Sequence, residues 1–244
     1  MTFQPNQGEG SLDRQADAQP LVAPIRQDAA VQGAFLTQAF FWMFAGLLLT
    51  AAVSAAVLLN PSLIQFAANN LLLLFLGQLA LVIVISAGIT RLSATAALGL
   101  FFVYAASLGL TVGLIVSLYT GASVATAFFS ASAMFGGAAL YGYTTKRSLA
   151  TIGGYASMAL FGLIVAIFVN LFLGSSPLGW IIAVIGVVLF TVLTAYTVQR
   201  IMAGDYAAMT GSVEKASILA ALHLYINFIN IFLFLLRIFG ASRN

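Results

Sequence analysis

Residues 222–233 read LHLYINFINIFL. The run is apolar enough to lie in a bilayer, yet it carries His223, Asn227 and Asn230. Steps of four and then three residues put those three side chains on one face of a helix. Lys215 and Arg237 bound the segment and leave 21 uncharged residues between them, enough for one crossing, which takes about 20. A polar stripe in such a helix implies a face turned toward protein or toward a wet pathway.

The same punctuation by charge organises the rest of the chain. There are 62 uncharged residues between Asp28 and Arg91, 54 between Arg91 and Lys146, and 52 between Arg147 and Arg200. Each of these gaps holds two spans and a turn. Turn signals fall mid-gap, at NPSLIQFAANN (60–70), YTGAS (119–123) and GSSPLG (174–179). The expected spans are 35–59, 71–90, 94–118, 122–143, 149–173, 178–201 and 216–239. The fold class is therefore all-α, a polytopic membrane protein of seven transmembrane helices. No residue pattern repeats beneath the three charge-free hairpins, so no internal repeat is assigned.

Composition agrees: 62% of residues are hydrophobic and 6% charged, a chain built for hydrocarbon. A net charge of +3 does not make a nucleic-acid surface. The absence of cysteine excludes disulfides, thiol catalysis and thiolate metal sites. Residues 1–33 hold three of the five prolines and four of the six acids without an apolar run. They read as a disordered cytoplasmic tail, one that a partner could bind, and not as a signal peptide. Residues 34–240 form the membrane domain and 241–244 a short C-terminal tail.

Orientation follows the basic residues. Arg14 and Arg26 lie in the tail, Arg91, Lys146, Arg147, Arg200 and Lys215 in alternate connections, and none in the three intervening turns. The N-terminus is expected in the cytoplasm. Seven spans then place Arg237 and Arg243 outside, against the rule, so a re-entrant last segment with six full spans stays open. Small residues, which let helices approach in lipid, recur as Gly109 and Gly113, as Gly136, Gly137 and Gly142, and as Gly153, Gly154 and Gly162. They point to tight packing within the bundle. Trp42 and Trp180 fall near span ends.

Four strings in order, LYGYTTKRSL (140–149), VNLFLGSS (169–176), LTAYTVQRI (193–201) and LYINFINIFLFLLRIFG (224–240), resemble the Bax inhibitor-type family, over roughly residues 35–240. The resemblance is to the bacterial branch and implies an inner-membrane protein. It implies six helices around a central seventh, so that the His223 stripe faces protein. It further implies a calcium leak regulated by protons, attributed to two aspartates on the sixth and seventh spans. In some bacterial members it implies restraint of a membrane-bound protease, and in eukaryotes suppression of cell death.

Here the positions matching those aspartates are Thr197, in AYTVQ, and Asn227, in LYINFIN. Paired carboxylates in a low dielectric share a proton and so titrate as a switch. Threonine and asparagine do not titrate, and neutral oxygens compensate poorly for the water stripped from calcium. The proton-gated leak is thus expected to be lost or altered. Arg91 matches a family arginine that approaches the acid pair, but without those acids it reads first as an anchor to headgroups.

Two accounts of the stripe stay open: Asn227 and Asn230 hydrogen-bond across helices and set register, or Thr197, Asn227, Asn230 and His223 line a neutral wet pathway with His223 supplying a proton response. Gln78 and Asn170 are further polar residues at membrane depth. The functional expectation is an ion-leak scaffold acting on calcium or other cations. The alternative is a non-transporting regulator that binds a partner such as a membrane protease. Predicted spans without Asp, Glu or Cys lack the acid pair or oriented base that an intramembrane hydrolase needs, so no enzyme and no cofactor or metal site is expected.

Overall fold

A computed structural model describes residues 29–241, with side chains from residue 32. Among the described residues there are nine helices and no strands. They are α1 (Ala29–Leu59), α2 (Pro61–Asn69), α3 (Leu71–Gly88), α4 (Ala94–Val116), α5 (Gly121–Thr144), α6 (Ala150–Leu173), α7 (Ser176–Met202), α8 (Asp205–Thr210) and α9 (Val213–Phe239). Seven are long and apolar enough to cross a membrane, at the places the charge gaps indicate. Two differences stand out. The 60–70 turn carries a helix of its own, α2, started by Asn60, whose side chain accepts from Ser62 N, and by Pro61 in the first turn. In addition, α1 begins at Ala29, inside the stretch assigned to the tail, whose residues 1–28 lie outside those described.

Local chemistry sets the other boundaries. Ser93, Thr120 and Ser175 cap α4, α5 and α7 by accepting from the amides of Ala96, Ser123 and Leu178. Gly204 (φ 79°) and Gly211 (φ 66°) bracket α8 in left-handed conformations, which only glycine adopts without strain.

The last segment crosses fully. Its 27 residues measure about 40 Å as an α-helix, more than the roughly 30 Å of a hydrocarbon core. Near its start, Lys215 Nζ donates to the Thr90 carbonyl beside the start of α4. Just past its end, Ala241 exchanges hydrogen bonds with Ser123 and Thr120, beyond the far end of α4. The re-entrant alternative is therefore set aside.

α9 is the centre of the bundle. Sixteen of its 27 residues are buried, whereas α3 buries only Gln78 and Ile85, and α6 only Gly153, Ala156 and Leu163. α1, α4, α5, α7 and α8 pack on α9 directly; α3 is held by α4, and α6 by α7. The outer pair meet where Phe75 and Phe168 stack edge-on, with centroids 5.7 Å apart.

Close contacts run through small residues, as they must where lipid gives no hydrophobic drive. A Cβ on Gly109 or Gly113 would fall 2.7 Å from Val53 or Val57 of α1. Thr50 and Ser54 stitch the same seam by donating to the Ala105 and Gly109 carbonyls. Gly142 and Gly153 seat α5 and α6 on α7, against the Ala195 carbonyl and the Tyr196 ring. Gly136, Gly137, Gly154 and Gly162 do not share this role, since a Cβ at each would meet nothing within 4 Å. They sit on faces of α5 and α6 turned away from the bundle.

Gly142→Ala should lower the unfolding temperature of the detergent-solubilised protein, with a loss of about 1–3 kcal/mol, because the added methyl meets backbone and not a movable side chain. Gly136→Ala should be neutral or slightly stabilising, through helix propensity alone. Equal melting of the two variants would contradict the α5–α7 contact.

Candidate functional site

Thr197 lies near the C-terminal end of α7 and Asn227 at the middle of α9, and the two helices bring them face to face. Asn227 Nδ2 donates to Thr197 Oγ1 over 3.4 Å, a long and weak bond. Both side chains are buried. Thr191 and Thr194, on the same helix, return their hydroxyls to the carbonyls four residues back. Thr197 turns outward from its helix instead, toward α9 and α8.

The third participant was not legible as a site residue. Tyr206 of α8 is 1% exposed, and its hydroxyl lies 2.8 Å from His223 Nδ1, with the two rings edge-on at 5.6 Å. Burial pushes the Tyr206 phenol up to about 12, against the opposing pull of the Arg200 charge and of a hydrogen bond from Thr197. The phenol is therefore protonated at any physiological pH. Asn227 thus donates to Thr197 of α7, and one helical turn away the His223 imidazole meets the Tyr206 hydroxyl of α8.

Arg200 holds α8 down from above. Its guanidinium carbon stands 5.1 Å from the Tyr206 ring centroid and 5.6 Å from that of Tyr196. Its Nε donates to Asp205 Oδ2 at 3.0 Å, the one ion pair among the described residues. α8 is accordingly a short cover over the inner end of the Thr197–Asn227 pair. Its only sequence signal is the pair of glycines that frame DYAAMT.

Other expected members do not join. Asn230 donates to the Ile226 carbonyl of its own helix, so the stripe contributes one cross-helix amide, not two. Arg91 is exposed at the α3–α4 turn, away from the pair, because the turn ends α3 outside the inner shell of the bundle. Gln78 clamps α3 to α4 through the Ser107 carbonyl and the Thr111 hydroxyl, and the Asn170 Oδ1 on α6 has no partner. Among the described residues no group of three or more His, Cys, Asp or Glu side chains could hold a metal ion.

Residues 32–244 match the model of the family described as Inhibitor of apoptosis-promoting Bax1. The chain belongs to the Bax inhibitor-1 family. It is 43% identical to the inner membrane protein YbhL of Escherichia coli over 233 residues, 93% of this chain and 100% of that protein. A protein of Deinococcus radiodurans is 44% identical over 86% of this chain and 91% of its own length. One of Borreliella burgdorferi is 37% identical over 90% and 97%. Membership in the Bax inhibitor-1 family and seven apolar helices make this an integral membrane protein.

Tyr206→Phe should cost about 1–3 kcal/mol, because it leaves the His223 Nδ1 acceptor without its donor. In a double-mutant cycle with His223→Leu, read by thermal unfolding in detergent, the two losses should fall short of additive by about 1 kcal/mol. Strict additivity would mean that the hydroxyl–imidazole contact carries no energy.

Proposed function

We propose that this chain is a Bax inhibitor-type scaffold of the bacterial inner membrane in which the proton-gated calcium leak attributed to the family's aspartate pair has been lost. The observation that carries this reading is the buried contact between Thr197 and Asn227. The pair occupies the crossing point of the sixth and seventh spans without an ionisable group. Two carboxylates there would repel until one took a proton, which links opening to pH. A hydroxyl and an amide attract each other at every pH, and they offer a divalent cation no charge against the loss of its water. Beyond the pair on α9, Ile231, Phe232, Leu235 and Leu236 are apolar and buried, and Tyr206 is buried toward the basic end.

Orientation belongs to the same reading. Arg91, Lys146, Arg147, Arg200 and Lys215 all lie at the end where α3, α5 and α7 finish and α4, α6 and α9 begin. Among the described residues Arg237 is the one basic side chain at the other end, in the last turn of α9 with its guanidinium against Gly179 of α7, where a cation is favoured by the helix dipole. The basic end is thus the cytoplasmic one, and the similarity to an inner membrane protein of Escherichia coli supports that membrane.

In proteoliposomes carrying a calcium dye, the wild type should give no pH-dependent flux above protein-free vesicles. The Thr197→Asp, Asn227→Asp double variant should acquire flux that changes between acidic and neutral buffer. Gated flux in the wild type would overturn the proposed loss. Absence from both proteins would remove the ion pathway and leave the partner-binding regulator. For orientation, a C-terminal alkaline phosphatase fusion should be active and a C-terminal green fluorescent protein fusion dark; the reverse would invert the assignment.

A further inference from the structure

We propose that the cleft between α5 and α6 at the basic end is a binding site for one anionic phospholipid, its acyl chain in the cleft and its headgroup against Lys146 and Arg147. The site goes beyond the functional reading above and takes from it only the cytoplasmic orientation of the basic end. α5 and α6 are joined by a short loop, and each is seated on α7 by a glycine, Gly142 on the Ala195 carbonyl and Gly153 on the Tyr196 ring. With both helices anchored to a third, a cleft of about 320 Å³ stays open between them. Ala138 and Tyr141 form one wall, Leu149 and Ile152 the other, and Val192 and Ala195 the floor. The Thr191 hydroxyl, also on the floor, is satisfied by the Val187 carbonyl. The lining therefore asks for hydrocarbon, and a slot opening sideways from a membrane helix bundle meets acyl chains.

What selects among lipids is the mouth. Leu149 lines the cleft and also ends the loop that carries Lys146 and Arg147. One side chain of α7 fixes that loop from both sides: Gln199 Oε1 accepts from Leu149 N at 2.7 Å, and Gln199 Nε2 donates to the Arg147 carbonyl at 2.8 Å. Thr145 adds a bond to each flank, its Oγ1 accepting from Arg147 N and its N donating to the Tyr141 carbonyl. The two cations are thus carried on anchored backbone within three residues of the cleft wall. Both are exposed, and among the described residues neither has a carboxylate partner. Positive charge on an anchored loop, unpaired among the described residues, at the headgroup end of an apolar cleft is complementary to a lipid phosphate with net negative charge, and basic pockets between transmembrane helices on this side hold anionic headgroups.

The test is native mass spectrometry of the full chain in detergent with equal amounts of phosphatidylglycerol and phosphatidylcholine. The wild type should retain phosphatidylglycerol about thirtyfold over phosphatidylcholine, given roughly 1 kcal/mol for each of the two cations. Lys146→Gln with Arg147→Gln should bring the ratio near one without lowering the unfolding temperature. Ile152→Trp, which fills the cleft from its exposed rim, should reduce retention of both lipids. Arg91→Gln with Lys215→Gln removes two cations from the same end of the molecule and should leave the preference intact. An equal ratio in the wild type overturns the proposal, as does an unchanged ratio in the 146/147 variant. An equal loss in the 91/215 variant would also overturn it, in favour of a diffuse basic surface. Displacement of the lipid by glycerol phosphate would overturn it in favour of a site for the free anion.

Discussion

A polar side chain placed in hydrocarbon has to find its partner within the protein, and that constraint organises this bundle around α9. Ser217 meets Gln38 of α1, Tyr225 meets Thr50 of α1, His223 meets Tyr206 of α8, and Asn227 meets Thr197 of α7. Each bond points to a different neighbour or a different level, so together they define both the rotation and the depth of the central helix. A helix with an apolar surface all round could slide or turn at little cost. This one cannot, because displacement would strand several donors at once.

The outer helices obey the complementary rule. α3 and α6 expose most of their surface, and that surface is leucine, isoleucine, valine and phenylalanine, the reverse of what a water-soluble bundle would show. Where helices do touch closely, glycine and serine or threonine stand at the seam. The α1–α4 contact carries two glycines and two hydroxyl donors within two turns. Cohesion there comes from close backbone approach and short polar bonds, since lipid offers apolar surfaces nothing to escape from.

At the central site the side chains at 197 and 227 meet where α7 and α9 cross, and the Tyr206–His223 bond lies beside them, so the bonds at this level are made by hydroxyl, amide and imidazole. Arg200 and Asp205 bring full charges close, but they pair with each other and with aromatic faces at the membrane boundary. The charged layer and the neutral layer are thus stacked, with Tyr206 between them.

Much of this was written in one dimension. Spacing of charges along the chain determined seven crossings to within a few residues, because bilayer thickness gives every helix the same minimum length and ionisable groups are excluded between its ends. The polar stripe at 223, 227 and 230 likewise announced a helix with a face turned to protein or to a wet pathway. Which members of the stripe reach across was decided only by packing: Asn227 finds Thr197, whereas Asn230 falls back on its own carbonyl. Tyr206 and the α8 cover were illegible, since a six-residue helix between two glycines has no periodicity to read, and its burial depends on a salt bridge and an imidazole contributed from elsewhere in the chain. Arg91, for its part, lies exposed at the α3–α4 turn, beside a helix held at the rim of the bundle by α4. Local chemistry and membrane thickness act along the chain, but contact between α7, α8 and α9 is a property of three surfaces meeting, and only the folded arrangement specifies it.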